Sequence, residues 1–329
     1  MKRYIVKNKQ DGMRIDKFVC EVFSGISRTF FSKNLQDFVL VNSKKVKPSY
    51  RVKVGDQVEV NLEILNKKCQ HEITRADLES KTVPQVGPLD IIYEQKDYLV
   101  LNKPSDLAVH PGIGHEKNTL ANYVKKYLMD NDNYDVGLKR AGIVHRLDMP
   151  VGGVIVFAKN RKFQKYLAEQ FENHNVLKVY FAHYCVMGKK EIFNDFKKIN
   201  SVYSLIEQYE KGLDLDLTNW IEVSGSMKRD PSNRKRMLFQ HNLIDEKLRF
   251  AQSYLLPLSE SKMCVLIKTG RMHQIRATLR SLGIVLTGDK LYGWKKSCTA
   301  KIGLNSVVLG FTDTTGKRKV FNILRSFDV

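Results

Sequence analysis

Apolar residues recur along this chain with two different periods, and the changes between them divide it. At residues 13–23 the apolar positions follow a helical spacing. A second helix is predicted at 28–37, with Ser27 placed to cap it. Short apolar runs at 39–41 and 45–46, around Asn42-Ser43-Lys44, predict a hairpin, and 57–62 alternates as a closing strand. Beyond residue 88 the runs at 90–94 and 98–102 predict two strands, and 119–129 a helix. Further strands are predicted at 153–158, 176–186 and 262–267. Phe163, Leu167 and Phe171, four apart, give 162–172 one buried helical face. Residues 273–282 do the same with Ile275, Leu279 and Leu282, and Gly283 stands where a helix would stop.

Long strands interrupted by helices, without regular β-α alternation, predict an α+β fold on a bent mixed or antiparallel sheet. In front of it, 1–66 reads as a small α/β module. Residues 67–88 are polar, with Pro84, Gly87 and Pro88 near their end, and read as a linker; 89–329 is then the main body. The stretch 189–220, acidic at Glu207, Glu210, Asp214 and Asp216, reads as an exposed insertion.

Charge narrows the partner. Of the 329 residues, 55 are Lys or Arg and 35 are Asp or Glu, a net charge of +20. An excess of that size points to a polyanion, nucleic acid first. In the N-terminal module Arg14, Lys17, Arg28, Lys33, Lys44, Lys45 and Lys47 supply basic positions. The five cysteines are scattered without CxxC spacing, so neither a disulfide framework nor a zinc site is indicated, and a cytoplasmic setting is expected. No apolar run approaches the length of a membrane span. The glycines of Gly112-Ile113-Gly114 do not extend into a nucleotide-binding loop, and no metal or organic cofactor is expected.

Candidate chemistry is concentrated at Gly142-Ile143-Val144-His145-Arg146-Leu147-Asp148, just before the predicted strand at 153–158. Taken singly, an aspartate there is more often a turn or cap residue. Here His145 and Arg146 precede it, and Pro150, Gly152 and Gly153 follow it in a turn able to expose its side chain. The adjacent arginine favours the ionised carboxylate. A second dense cluster, Thr269-Gly270-Arg271-Met272-His273-Gln274-Ile275-Arg276, offers guanidinium partners for it.

Both clusters resemble those of the RluA-type pseudouridine synthases. His145-Arg146-Leu147-Asp148, Gly153 and Ala158-Lys159 match that family's first signature, although Val151 and Gly152 stand where it usually has hydroxyls. Lys178-Val179-Tyr180 resembles its Lys-x-Tyr motif, and the 269–276 cluster differs from its Thr-Gly-Arg-Thr-His-Gln-Ile-Arg only at Met272. Leu101-Asn102-Lys103-Pro104, Leu286-Thr287-Gly288-Asp289-Lys290-Leu291-Tyr292-Gly293 and the basic loop from Lys228 to Met237 add matches in family order. The N-terminal order of helix, helix, hairpin and strand is similar to an S4-type RNA-binding domain.

The resemblance implies isomerisation of uridine to pseudouridine in structured RNA, with 23S ribosomal RNA as the expected substrate and a monomer as the expected form. It implies Asp148 as the catalytic aspartate, Tyr180 as a proton acceptor against the base, and Arg276 as the partner of Asp148. His145, Arg146, Arg271, Arg229 and Arg234, with Arg14, Lys17, Arg28, Lys44 and Lys45 in front, are the expected RNA contacts. A transfer-RNA synthase of the same chemistry and a non-catalytic RNA-binding factor are the alternatives. The second leaves Asp148, Tyr180 and Arg276 unexplained.

Overall fold

The computed structural model describes residues 1–23, 28–65, 82–112, 115–131, 135, 137–187, 193, 195–293 and 301–327. The chain forms two compact units, Met1–Lys81 and Thr82–Val329. Ser27, Cys69, Cys298, Ile113 and Gly114 lie outside the described residues, as does the side chain of Arg28.

In the first unit the strands β1 (Lys2–Ile5), β2 (Val39–Val41) and β3 (Gln57–Val60) form an antiparallel sheet in the order β1-β3-β2. Helices α1 (Ile15–Val22) and α2 (Arg28–Phe38) bury Ile15, Phe18, Val19, Phe31 and Leu35 against it. Two expectations are corrected here. The run 45–46 is not a hairpin strand: Val41 makes only an isolated bridge to Lys44, and β2 pairs with β3 instead. The third strand is the N-terminal β1, an edge strand whose side chains are mostly exposed and therefore carry little apolar alternation.

The second unit is built on β4 (Ile91–Glu94), β5 (Tyr98–Lys103), β6 (Gly152–Ala158), β7 (Leu177–Val186), β8 (Ile221–Arg229), β9 (Met237–His241), β10 (Arg249–Pro257), β11 (Lys262–Ile267), β12 (Ile284–Leu286), β13 (Leu304–Thr312) and β14 (Arg318–Asn322). They form one sheet in the order β4-β5-β6-β13-β7-β11-β10-β8-β9, with β12 also on β7 and β14 on β13. Among the described pairings only β6 with β13 is parallel, so the sheet is mixed. Helices α3 (Leu120–Asp130), α4 (Arg161–Glu172), α5 (Asn200–Glu210) and α6 (Gln274–Ser281) complete an α+β unit.

Strand β7 is covered on both sides. Tyr180, Ala182 and Tyr184 enter one core, and Leu177, Val179 and Phe181 enter another. The second core corrects the expectation of an exposed insertion at 189–220. There α5 buries Val202, Leu205, Ile206 and Tyr209, joined by Trp220. The part of the expected linker at 82–88 is also tied down: Gln85 N–H donates to the Asn122 carbonyl, and the Asn122 side chain donates to the Val83 carbonyl.

Candidate active site

The loop ahead of β6 is held so that Asp148 projects from a fixed turn. Val151 N–H donates to the Asp148 carbonyl at 3.0 Å. The buried Lys103 ammonium, at the end of β5, donates to the carbonyls of Pro104, Leu107 and Met149 at 2.9, 2.7 and 3.0 Å. Desolvation pushes Lys103 down to about 8. Gly153 has φ +110°, and a Cβ there would lie 2.1 Å from the Ser306 carbonyl oxygen on β13. Only glycine therefore lets the loop enter the parallel pairing. The hydroxyls expected at 151 and 152 are not needed for this turn: its backbone bond closes it, and a Cβ on Gly152 would crowd Asn305 Oδ1 at 2.9 Å.

Asp148 opens on a cavity of about 310 Å³. Tyr180 from β7, Ile267 from β11, Val151, Leu147 and Leu304 make its apolar wall, while Arg146, Arg249, Arg271 and Arg276 bring four guanidinium groups. Among the described residues Asp148 is the sole carboxylate of that lining. An apolar slot with cationic walls suits a planar base carried on a phosphodiester backbone.

Arg276 fixes the carboxylate. It lies inward on α6, 6 % exposed, and its Nη1 donates to Asp148 Oδ2 at 3.3 Å. Its Nε and Nη2 form two parallel bonds of 2.8 Å with Asp289, and its guanidinium lies 5.0 Å over the Tyr292 ring. Burial alone would raise the Asp289 carboxyl. Arg276 and the N–H groups of Tyr292 and Leu291 more than offset that and hold it below its ordinary value. The sheet end is fixed as well, because Gln274 bonds Thr269, the Arg271 N–H, the Gln252 carbonyl and Ser253.

Tyr180 is 8 % exposed, and burial, with a smaller effect from the Asp148 charge, raises its phenol well above the usual value. It therefore meets a substrate as a neutral phenol. Arg146 is exposed at the cavity, and Arg271 lines it while its Nε donates to the Phe250 carbonyl at 2.9 Å.

His145 is corrected. Its ring stacks on Phe171 with centroids 4.5 Å apart, and Nε2 accepts the Val156 N–H at 3.1 Å. Burial lowers it to about 3, so the imidazole is neutral; the half-buried ring braces β6 and does not line the cavity. Arg14 is partly neutralised by its two 3.1 Å bonds to Asp16. Lys17, 4.0 Å from Glu21, and Lys44 and Lys45 are exposed in the first unit. Arg229, the last residue of β8, and Arg234 on the turn after it are exposed; Arg229 donates to the Arg234 carbonyl, and neither lines the cavity.

Sequence reasoning assigned no role to Asp289, Tyr292, His273 or Arg249. The first three lie inside quoted motifs, but nothing local to Gly288-Asp289 or Tyr292 shows that Asp289 grips Arg276. Arg249, at the start of β10, had no local signal. Among the described residues no three His, Cys, Asp or Glu are placed to hold a metal ion, and no helix is long and apolar enough to cross a membrane.

Known proteins give the same arrangement a family. The profile described as RNA pseudouridylate synthase matches residues 97–281, and that of the S4 domain matches 13–58. The chain is 30 % identical over 298 residues to the ribosomal large subunit pseudouridine synthase D of Borreliella burgdorferi, covering 90 % of this chain and 80 % of that protein. It is also 30 % identical over 298 residues to the protein of the same name from Escherichia coli K12, covering 88 % and 75 %. The fold is that of the human RNA pseudouridylate synthase domain containing 1 structure, with a TM-score of 0.51 at 19 % identity over 73 % of this chain and 84 % of that one. With Asp148, Tyr180 and Arg276 gathered in one cavity inside the matched region, the chain belongs to the RNA pseudouridylate synthase family and is an RNA pseudouridine synthase carrying an S4 domain.

Proposed function

We propose that this enzyme isomerises a uridine of large-subunit ribosomal RNA, with Asp148 as the group that attacks the sugar. One observation carries the reading: the cavity's sole carboxylate among the described residues is held by Arg276 beside an apolar slot walled by Tyr180. The target nucleotide must leave its stack to enter, at a cost of a few kcal/mol that cationic and stacking contacts offset. Arg146, Arg249 and Arg271 supply the cations, and the Tyr180 ring supplies the stacking face.

In the reaction an Asp148 oxygen bonds C1′ as the C1′–N1 bond breaks, and the pair of that bond leaves on the uracil. The freed ring turns within the slot and its C5 attacks C1′, which returns the bonding pair to Asp148. Loss of the C5 proton restores the ring, and N1 gains one proton, so atoms balance and no redox group or metal is required. Tyr180 enters as a neutral phenol. It handles the C5 proton by accepting at oxygen while passing its own hydrogen on, without first ionising. Exposed Lys44 and Lys45 of the S4 unit, with Arg229 and Arg234, contact phosphates of the surrounding RNA.

The large-subunit assignment rests on the two relatives named for that substrate. It is tested by mapping pseudouridine in all cellular RNA with and without this protein. Loss of one or more large-subunit sites is expected. Loss confined to transfer RNA, or no loss, overturns the substrate assignment.

A further inference from the structure

His273 occupies a backbone conformation its side chain does not favour. It stands just ahead of α6 with φ 55° and ψ 24°, in the left-handed region, and its side chain caps nothing. Glycine or asparagine would hold that position at lower cost. What the strained histidine gains is a place between two groups of the site. Its Nδ1 lies 3.1 Å from Tyr292 Oη, and its Nε2 lies 3.8 Å from Asp148 Oδ2.

The protons on this chain follow from counting. Tyr292 Oη accepts the Met237 N–H at 2.6 Å, and the phenol is 5 % exposed. Its own hydrogen is used if it is donated to His273 Nδ1. The reverse assignment would turn a lone pair of Nε2 toward Asp148 Oδ2, acceptor against acceptor. Burial also holds the imidazole below its ordinary value, which keeps it neutral. Nε2 therefore carries the hydrogen and directs it at Asp148. Arg276 donates to the same oxygen, Oδ2, whereas Oδ1 has no hydrogen bond among the described residues.

We infer that His273, held as its Nε2–H form by Tyr292, is a positioning residue that joins Arg276 on Asp148 Oδ2 and leaves Oδ1 to bond the ribose. The inference rests on Asp148 being the reacting carboxylate. While Oδ1 is bonded to C1′, Oδ2 is a carbonyl oxygen. As C5 displaces Oδ1, charge returns to the carboxylate, where Arg276 is already bonded to Oδ2 at 3.3 Å and His273 Nε2 stands 3.8 Å away, a gap that must close for the second donor to bond. A neutral donor suits this role, because an imidazolium would weaken Asp148 as a nucleophile.

The test combines kinetics with a direct reading of the tautomer, using full-length enzyme on the RNA whose uridine it modifies. His273→Leu should lower kcat ten- to a hundredfold with KM changed less than about threefold, and His273→Gln, which keeps a donor near Nε2, should recover most of it. Nitrogen-15 NMR of labelled histidine should show His273 protonated at Nε2 alone in the wild type, and a mixture of tautomers in Tyr292→Phe. That spectrum does not depend on turnover, so it still decides the matter if His273→Leu fails to fold. An Nδ1-protonated or cationic His273 at neutral pH, or His273→Leu with wild-type kcat, overturns the proposal. If Asp148→Asn is inactive and His273→Leu is unimpaired, only this inference falls. If Asp148→Asn turns over normally, the assignment of Asp148 falls with it.

Discussion

Asp289→Asn separates the support of the site from its chemistry. Asp289 is 1 % exposed and accepts four hydrogen bonds: two from Arg276 and one each from the N–H groups of Leu291 and Tyr292. Asparagine keeps the size and can still accept from the backbone, but its NH2 would face the guanidinium, donor against donor. Breaking a buried pair by neutralising one partner costs about 3–5 kcal/mol, since the other charge stays buried. For a unit of this size each kcal/mol lowers Tm by about 2–4 °C, so a fall of roughly 6–20 °C is expected. Arg276 also loses the clamp that aims Nη1 at Asp148, and misplacement on the order of 1 Å lowers turnover by about a hundredfold. Urea unfolding gives the first number, and single-turnover pseudouridine formation at saturating enzyme gives the second. A variant within about 1 kcal/mol of wild type with full turnover would refute the claim that Asp289 holds Arg276 in place.

Other outcomes follow from the same geometry. Tyr180→Phe keeps the stacking ring and loses the oxygen, so RNA binding by filter retention should persist while product formation stalls; near-normal turnover would assign the proton to water or another group. His145 is neutral in the folded state, with its value lowered from 6.5 to about 3, so the unfolded chain binds the extra proton between those pH values. Its contribution is therefore complete above pH 6.5 and is lost as pH falls, by at most about 1.4 kcal/mol per unit. Urea midpoints at pH 7 and pH 5 should differ more in wild type than in His145→Gln, and equal differences would contradict the neutral, half-buried imidazole. Gly153→Ala places a Cβ 2.1 Å from the Ser306 oxygen and should unfold or strongly destabilise the second unit, read by thermal melting. Replacing Lys44 and Lys45 with Ala should make the salt dependence of RNA binding shallower, by a slope of about 0.7–0.9 for each lost phosphate contact; an unchanged slope would remove them from the interface.

The strands buried on both faces were legible because an apolar run bounded by turns has few other readings. Residues 262–267 are β11 to the residue, and the predicted 153–158 and 176–186 differ from β6 and β7 by one position each. Apart from β4, predicted at 90–94, edge and half-exposed strands were not legible. In β8 and β10 small or polar residues occupy buried positions, Gly225 and Ser226 in one and Ser253 in the other, so 221–229 and 249–257 gave no clear period. Helix α5 was hidden by its charge: Glu207 and Glu210 drew attention from Val202, Leu205, Ile206 and Tyr209 at helical spacing. At the site, Asp148 and Arg276 were found because each lies in a dense local motif. That Asp289 grips Arg276 from 13 positions away, and that His145 turns inward onto Phe171, depends on tertiary packing that no local spacing encodes.

The central claim is that Asp148 performs the chemistry and contributes little to RNA binding. It is tested most directly by Asp148→Asn, assayed for pseudouridine formation in unmodified ribosomal RNA and for RNA affinity under the same salt conditions. The account predicts no detectable pseudouridine, with affinity within a few-fold of wild type because phosphate contacts carry most of the binding. Substantial pseudouridine formation by the variant would contradict it.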